Sequence, residues 1–186
     1  SGAEVTDLAV SYHANFLYAL TDEDVEMDSN GYMISCSYNF EVSVIAIPDS
    51  LDGFVVKGIT DGNDDSGVFY NKGITSVSLP SGLEYIGAYA FSSNQLTGIS
   101  IPDNIYFIGS GAFASNVLKE IVLPTSTIPG FVDWFDSNGK HYAGGTTVTD
   151  LSTSYRASFP YTLTDADVEM DVNEYIISCS YGFEAS

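Results

Sequence analysis

Residues 74–95, ITSVSLPSGLEYIGAYAFSSNQ, return as LTGISIPDNIYFIGSGAFASNV at residues 96–117, and the more divergent LKEIVLPTSTIPGFVDWFDSNG follows at residues 118–139. The repeat period is therefore 22 residues. An earlier copy begins at Val42 and is ten residues longer, because it carries an insertion around GITDGNDDSG. A fixed period of about 20–50 residues is typical of proteins in which each repeat packs on the next.

The apolar pattern of each repeat predicts a strand and a return segment. Apolar residues alternate with small polar ones before a proline, as in Val77-Ser78-Leu79-Pro80. This alternation is typical of a short strand, which proline ends because it has no N–H to donate. A second apolar group returns the chain, with Gly87 and Gly109 at the bend. The predicted inward residues are Ile74, Val77, Leu79, Phe91, Leu96, Ile99, Ile101, Phe113, Leu118, Ile121, Leu123 and Phe135.

Each repeat is too short to bury its apolar residues alone, so the pattern requires neighbouring repeats to stack. The predicted fold is a β-rich solenoid with short parallel strands and few short helical turns, flanked by an N-terminal β segment. An asparagine recurs at Asn94, Asn116 and Asn138. Its amide can hydrogen-bond the backbone of the neighbouring turn. Alternatively, these asparagines simply occupy turns.

A second and longer period spans 143 residues. The segment VTDLAVSYHANFLYALTDEDVEMDSNGYMISCSYNFEVS from Val5 returns from Val148 as VTDLSTSYRASFPYTLTDADVEMDVNEYIISCSYGFEAS. We therefore expect one module and the opening of another, cut from a longer tandem array. The partial copy is expected either to pack as a cap on the last coil or to associate with another chain through its open edge. The predicted units are a β lead-in or cap at 1–41, four coils at 42–139, and a linker with the truncated copy at 140–186.

The repeat pattern Ile-x-x-Val-x-Leu-Pro, followed by Leu-x-x-Ile-Gly-x-x-Ala-Phe at Leu83–Phe91, resembles the leucine-rich repeats of BspA-like bacterial surface proteins. The resemblance covers about residues 42–139 and is strongest over 74–123. It implies a leucine-rich-repeat solenoid in a secreted or cell-surface protein that serves as an adhesin or protein-binding scaffold, and it implies no catalytic residues. In the last repeat Gly130 replaces an inward isoleucine and Trp134-Phe135 replaces Ala-Phe, which favours a closing coil.

Composition excludes several classes of partner. The 186 residues include 25 Asp and Glu but only 5 Lys and Arg, and the formal net charge is -20. Nucleic acids and anionic membranes bind clusters of Lys and Arg, so neither is an expected partner. No apolar run approaches the roughly 18 residues of a membrane span. The first residues lack the basic and apolar regions of a signal peptide, and the predicted extracellular or cell-surface location therefore rests on the resemblance.

Two acidic segments are candidates for cation binding. Asp61, Asn63 and Asp65 occupy the first, third and fifth places of a calcium loop, but Lys72 stands where a bidentate glutamate is needed. An ordinary polar turn without a cofactor is the prediction, and calcium is the expected ion if this loop holds one. In TDEDVEMD, which spans residues 21–28, alternate acids predict a strand with a solvated acidic face in preference to a cation site.

The sequence predicts no enzymatic activity. The motifs HExxH, GxSxG and the P-loop are absent, and Arg156 replaces His13 in the second copy, so an imidazole is not required there. Cys36 and Cys179 occupy equivalent places in the two copies. They are predicted to be small buried hydrophobic residues in preference to a disulfide.

The predicted function is binding of a protein ligand, such as a host or neighbouring-cell component, in adhesion. The alternatives are a spacer in a tandem surface array, or a glycan-binding module that uses tyrosines and Trp134. Aromatic residues beside the return segments are candidate anchors, although packing between coils is the favoured role of each. The candidate contact residues are Ser76, Ser78, Gly98, Ser100, Glu120 and Val122 on the strand face, and Tyr70, Tyr85, Tyr89, Tyr106 and Phe107 on the aromatic side.

Overall fold

The computed structural model describes residues 17–62, 67–125 and 133–158, and the backbone of two further strands at 168–170 and 176–179. The described part is rich in short strands and contains one 3-10 turn, at Asp22–Asp24, and no longer helix. In chain order the strands are β1 (Leu17–Ala19), β2 (Val25–Met27), β3 (Tyr32–Cys36), β4 (Val44–Ala46), β5 (Ser50–Leu51), β6 (Phe54–Val55), β7 (Gly58–Ile59), β8 (Ser76–Ser78), β9 (Tyr85–Ile86), β10 (Phe107–Ile108), β11 (Ile121–Val122), β12 (Trp134–Asp136), β13 (His141–Tyr142), β14 (Thr147–Val148), β15 (Tyr155–Ala157), β16 (Val168–Met170) and β17 (Ile176–Cys179).

Strands at equivalent places of successive repeats pair in parallel. β4 pairs with β8, and β9 pairs with β10, with Ile86 opposite Ile108. Outside the strands, backbone hydrogen bonds also join residues that are 22 positions apart. The N–H of Leu118 donates to the carbonyl of Leu96 at 2.8 Å, and the N–H of Tyr106 donates to the carbonyl of Glu84 at 2.9 Å. The 22-residue sequence period is therefore also a step from one repeat to its spatial neighbour.

Most of the apolar side chains that the repeat predicts to face inward lie in a single core. In this core the ring of Phe91 stacks between two others, with its centroid 5.0 Å from that of Phe69 and 5.8 Å from that of Phe113. Ile99 and Ile101 are only partly buried, because residues 98–100 form no strand. Leu79, which follows strand β8, is likewise partly buried. The buried predicted positions are Ile74, Val77, Phe91, Leu96, Phe113, Leu118, Ile121 and Leu123.

The last repeat departs from the predicted coil. Residues 134–136 form strand β12, which pairs with β13 in an antiparallel hairpin. Since successive residues of a strand face opposite sides, only one of two adjacent aromatic residues can point inward. Trp134 does so, with no exposed surface and its Nε1–H donating to the carbonyl of Pro124 at 2.9 Å. Phe135, the predicted core residue, is only partly buried.

The opening of the second 143-residue copy lies against the last repeats. β14 pairs antiparallel with β11, and β15 lies between β10 and β12, antiparallel to both. Further along this copy, β16 and β17 pair with the same register and the same irregularity as β2 and β3 of the first copy. The long sequence period is thus reproduced in the backbone.

Candidate binding site

A groove with a volume of about 580 Å³ opens on the face that carries the outward serines. It lies beside β8, where the following repeat has no strand to continue the sheet. Its lining consists of small polar side chains with apolar ones beside them: Leu17, Ile45, Ser76, Val77, Ser78, Leu79, Ser81, Ser100, Pro102, Asp103 and Asn104.

Strand pairing explains the mixed character of the groove. β1, β4 and β8 form a three-stranded parallel sheet in which Leu17 lies opposite Val44 and Val44 lies opposite Ser76. The intervening residue of β8, Val77, is buried, so Ser76 and Ser78 face outward. Leu17, on the outer strand of this sheet, is 62% exposed.

No basic side chain lines this groove. All five Lys and Arg residues lie in the described part of the chain, and none of them is among the lining residues. The exposed carboxylate of Asp103 is the one acidic group in the lining. The groove is therefore neutral to acidic on a strongly acidic protein.

The structure places the predicted strand-face residues in two groups. Ser76, Ser78 and Ser100 are exposed and line the groove. Gly98 and Glu120 are exposed outside it, as is Val122, which is 53% exposed. Sequence reasoning missed Leu17, because only the pairing of β1 with distant β4 brings it to the serines, and it missed Pro102, which lies just before the turn at residues 103–104.

The predicted aromatic contact residues are largely used in packing between repeats. The rings of Tyr85 and Phe107 stack with centroids 5.0 Å apart, and Arg156 lies 5.7 Å from the centroid of Phe107. The hydroxyls of Tyr32 and Tyr106 are 3.2 Å apart. Burial, and then this hydrogen bond, raise the pKa of Tyr106. Tyr85, Tyr106 and Phe107 are accordingly partly buried.

Tyr70 and Tyr89 differ from the other aromatic candidates, because they are 41% and 47% exposed. Neither residue lines the groove. They remain candidate contacts on a separate surface.

The acidic segment at residues 21–28 is not one continuous strand, and the predicted strand over this whole segment is wrong. Asp22–Asp24 form a 3-10 turn, and β2 covers only Val25–Met27. The carboxylate of Asp24 accepts hydrogen bonds from the N–H of Thr21 at 2.8 Å and from the hydroxyl of Tyr18 at 2.9 Å. Partial burial opposes ionisation, but these hydrogen bonds hold the pKa of Asp24 below its ordinary value.

Asp28 ends the same segment in a turn. Its carboxylate accepts the backbone N–H groups of Tyr32 at 2.8 Å and Asn30 at 2.9 Å. The hydrogen bond from Tyr32 is the main reason that the pKa of Asp28 is lowered. These acids close turns, and short aspartate side chains commonly do so.

The candidate calcium loop is only partly described. Asp61 is half-buried, and its carbonyl accepts the N–H of Gly67 at 2.7 Å, whereas Asn63 and Asp65 lie outside the described residues. Elsewhere in the described part, no three His, Cys, Asp or Glu side chains converge as metal ligands would. The preference for an ordinary polar turn over a calcium site at this loop stays a prediction.

Cys36 does not form a disulfide in the structure. Burial raises the pKa of the Cys36 thiol to about 11, so the side chain is protonated at neutral pH.

Within the described residues no helix has the length and apolarity needed to cross a bilayer.

Comparison with known proteins shows what the repeats are similar to. Residues 65–138 match a family model described as "BspA type Leucine rich repeat region (6 copies)". No curated protein and no solved structure matches the chain. The matched segment contains the 22-residue repeats with their buried phenylalanines, and repeats of this family indicate a protein-interaction module. Residues 65–138 are therefore similar to BspA-type leucine-rich repeats.

Proposed function

We propose that the repeats from residue 42 to residue 125 wind as a leucine-rich-repeat solenoid that binds an extended segment of a protein partner in the groove beside β8. The single observation that carries this proposal is the groove itself, in which an edge strand, outward serines and exposed Leu17 lie together.

The solenoid is supported by contacts that recur at the repeat step. Phe69, Phe91 and Phe113 stack in series, and the backbone bonds of Leu118 to Leu96 and of Tyr106 to Glu84 span 22 residues each. Serial nearest-neighbour contacts of this kind are the defining property of stacked repeats.

The edge strand supports recognition of an extended peptide. Among the described strands β8 is paired on one side only, with β4. A sheet edge can accept a further strand, whose main chain supplies affinity while pockets beside it select side chains. Ser76 and Ser78 are small enough to let another chain approach closely, and Leu17 and Pro102 offer apolar contact.

Charge supports a basic or neutral partner. The chain carries a formal charge of -20, which disfavours acidic partners and speeds encounter with basic ones. This attraction fades over a Debye length of about 8 Å at physiological ionic strength. The rate of association with a basic partner should therefore fall as salt is added.

The family supports the wider setting of the proposal. BspA-type repeats are typical of surface-associated bacterial proteins and are typically non-enzymatic. We therefore place the chain outside the cell or on its surface, as an adhesion module for a component of a host or neighbouring cell. A spacer role is the outcome if the groove binds nothing. For the glycan alternative, only tyrosines remain as contacts, since Trp134 is fully buried.

The experiment is selection of a displayed random peptide library on the full chain. Peptides enriched on the wild type should bind Ser78→Trp at least about tenfold more weakly, because the indole fills the groove beside β8. Ser29→Trp is the matched control, since Ser29 is an exposed serine outside the groove. Enriched peptides that bind both variants like the wild type would show that the groove is not the binding site. A glycan array on the same proteins tests the sugar alternative.

A further inference from the structure

The segment that opens the second 143-residue copy is built into the end of the first copy. β15 pairs with β10 on one side and with β12 on the other, so it joins the repeat ladder to the closing hairpin. The N–H of Ala157 donates to the carbonyl of Tyr106 at 2.8 Å, and the N–H of Ser158 donates to that of Asp133 at 2.7 Å. The structural end of the first module therefore lies beyond the point where the second sequence copy begins.

The side chains of this segment belong to the same core as the repeats. Val148, Tyr155 and Ala157 are 4%, 1% and 5% exposed and lie in the continuous apolar cluster. The hydroxyl of Tyr155 donates to the carbonyl of Asp150 at 2.7 Å, which satisfies its one polar group inside the protein. The segment is thus an integral part of the fold.

The first copy carries the same motif. VTDLSTSYRAS at residues 148–158 corresponds to VTDLAVSYHAN at residues 5–15. The three buried apolar residues are identical in the two copies, because Val148, Tyr155 and Ala157 correspond to Val5, Tyr12 and Ala14. The differences fall at four positions, of which only Thr153 is buried, and its counterpart is Val10.

We propose that the opening eleven residues of each 143-residue repeat are a closing strand for the preceding repeat, so that residues 5–15 fit the end of a second copy of this repeat region. In that arrangement the partner of the β10, β11 and β12 edges is always the start of another copy. Such contacts join unlike surfaces head to tail, an arrangement that builds either rings or open filaments. They also cover strand edges that would otherwise be open to unspecific pairing. This inference is independent of what the groove binds.

The test is a graft within the full chain. Ser152→Ala, Thr153→Val, Arg156→His and Ser158→Asn together make residues 148–158 read as residues 5–15 do. We expect the thermal unfolding midpoint to stay within about 4 °C of the wild type, which is the scale of a small perturbation in a chain of this size. The fluorescence of Trp134, the only tryptophan, should keep the emission of a buried indole, since Trp134 lies opposite Ala157.

The control adds one substitution, Tyr155→Ser, to the graft. It removes the largest buried side chain of the segment and should lower the midpoint by about 8 °C or more. The proposal would be overturned if the unfolding midpoint of the graft fell as far as that of the control, or if Trp134 became exposed. Residues 5–15 would then be unable to close a repeat region.

Discussion

The side-chain amide of Asn94 donates a 2.7 Å hydrogen bond to the carbonyl of Phe69, which belongs to the preceding repeat. Its oxygen accepts the backbone N–H of Ile74 at 3.0 Å. Asn116 repeats this arrangement one step later, with a 2.9 Å bond to the carbonyl of Phe91 and a 2.9 Å bond from the N–H of Leu96. At Asn94 and Asn116 the recurring asparagine therefore joins neighbouring repeats, whereas Asn138 is exposed and occupies a turn.

Removing the bridging amide should be costly. Asn94→Ala leaves the buried backbone groups of Phe69 and Ile74 without this partner, and each unsatisfied buried group costs about 1–3 kcal/mol. We expect the free energy of unfolding in urea to fall by about 2–4 kcal/mol. Asn138→Ala is the control, since Asn138 is exposed in the closing hairpin and should change stability by less than about 0.5 kcal/mol. Equal losses at the two positions would show that the bridge is unimportant.

Gly109 should be required for stability, because the backbone of Gly87 and Ala88 in the preceding repeat lies against it. A methyl group on Gly109 would meet the backbone carbonyl carbon of Gly87 at 2.5 Å and the backbone of Ala88. Gly109→Ala should therefore lower the free energy of unfolding by about 1–3 kcal/mol, as other overpacked sites do. Gly98→Ala is the matched control, since nothing lies within 4 Å of an added methyl group there. A Gly109→Ala chain as stable as the control would contradict the close approach of the repeats.

Trp134 and Phe135 should differ sharply in their contribution to stability. Trp134→Ala removes a fully buried side chain and should lower the free energy of unfolding by about 3–5 kcal/mol. Phe135→Ala should cost clearly less, because Phe135 is only partly buried. Chemical denaturation followed by circular dichroism measures both. A larger loss of stability for Phe135→Ala than for Trp134→Ala would instead support the sequence prediction that Phe135 faces inward.

Asp136 should make stability depend on pH in the acid range. Its carboxylate accepts the N–H groups of Asn138 at 2.8 Å and Lys140 at 3.0 Å, and the hydroxyl of Tyr142 at 2.9 Å. Partial burial opposes ionisation, but these hydrogen bonds lower the pKa of Asp136. A carboxyl whose folded pKa is lowered stabilises the fold above its unfolded pKa of about 3.9, and this contribution disappears as pH falls through the folded pKa.

Asp136→Asn should accordingly lower the thermal midpoint at pH 7, and the difference from the wild type should shrink below about pH 4. Glu120→Gln is the control for the loss of one negative charge, since Glu120 is exposed on the strand face. A constant difference between Asp136→Asn and the wild type from pH 7 to pH 3 would exclude this role of the carboxylate.

Positions that recur in the sequence could be predicted well, because each is compared with its own copies. Ile74, Leu96 and Leu118 stand one period apart, and all three are buried. The outward serines follow from the same alignment, since they alternate with inward residues on a strand. The repeat pattern therefore predicts both the recurring buried residues and the outward serines that line the groove.

Features that depend on distant pairing or on local side-chain hydrogen bonds could not be predicted. Leu17 reaches the groove only because β1 pairs with β4, and the two are far apart in the chain. Alternation predicted a strand through Asp24, but its carboxylate caps the turn that begins at Thr21. Such local bonding competes with strand formation and leaves no periodic signal.

The central claim is that each repeat is held by its immediate neighbours, and double-mutant cycles with Phe→Leu substitutions at Phe69, Phe91 and Phe113 test it most directly. The account predicts coupling energies of about 0.5–1.5 kcal/mol for the two stacked pairs, Phe69 with Phe91 and Phe91 with Phe113. It predicts a coupling within about 0.3–0.5 kcal/mol of zero for Phe69 with Phe113, which are two repeats apart. No coupling in the stacked pairs, or equal coupling across two repeats, would contradict it.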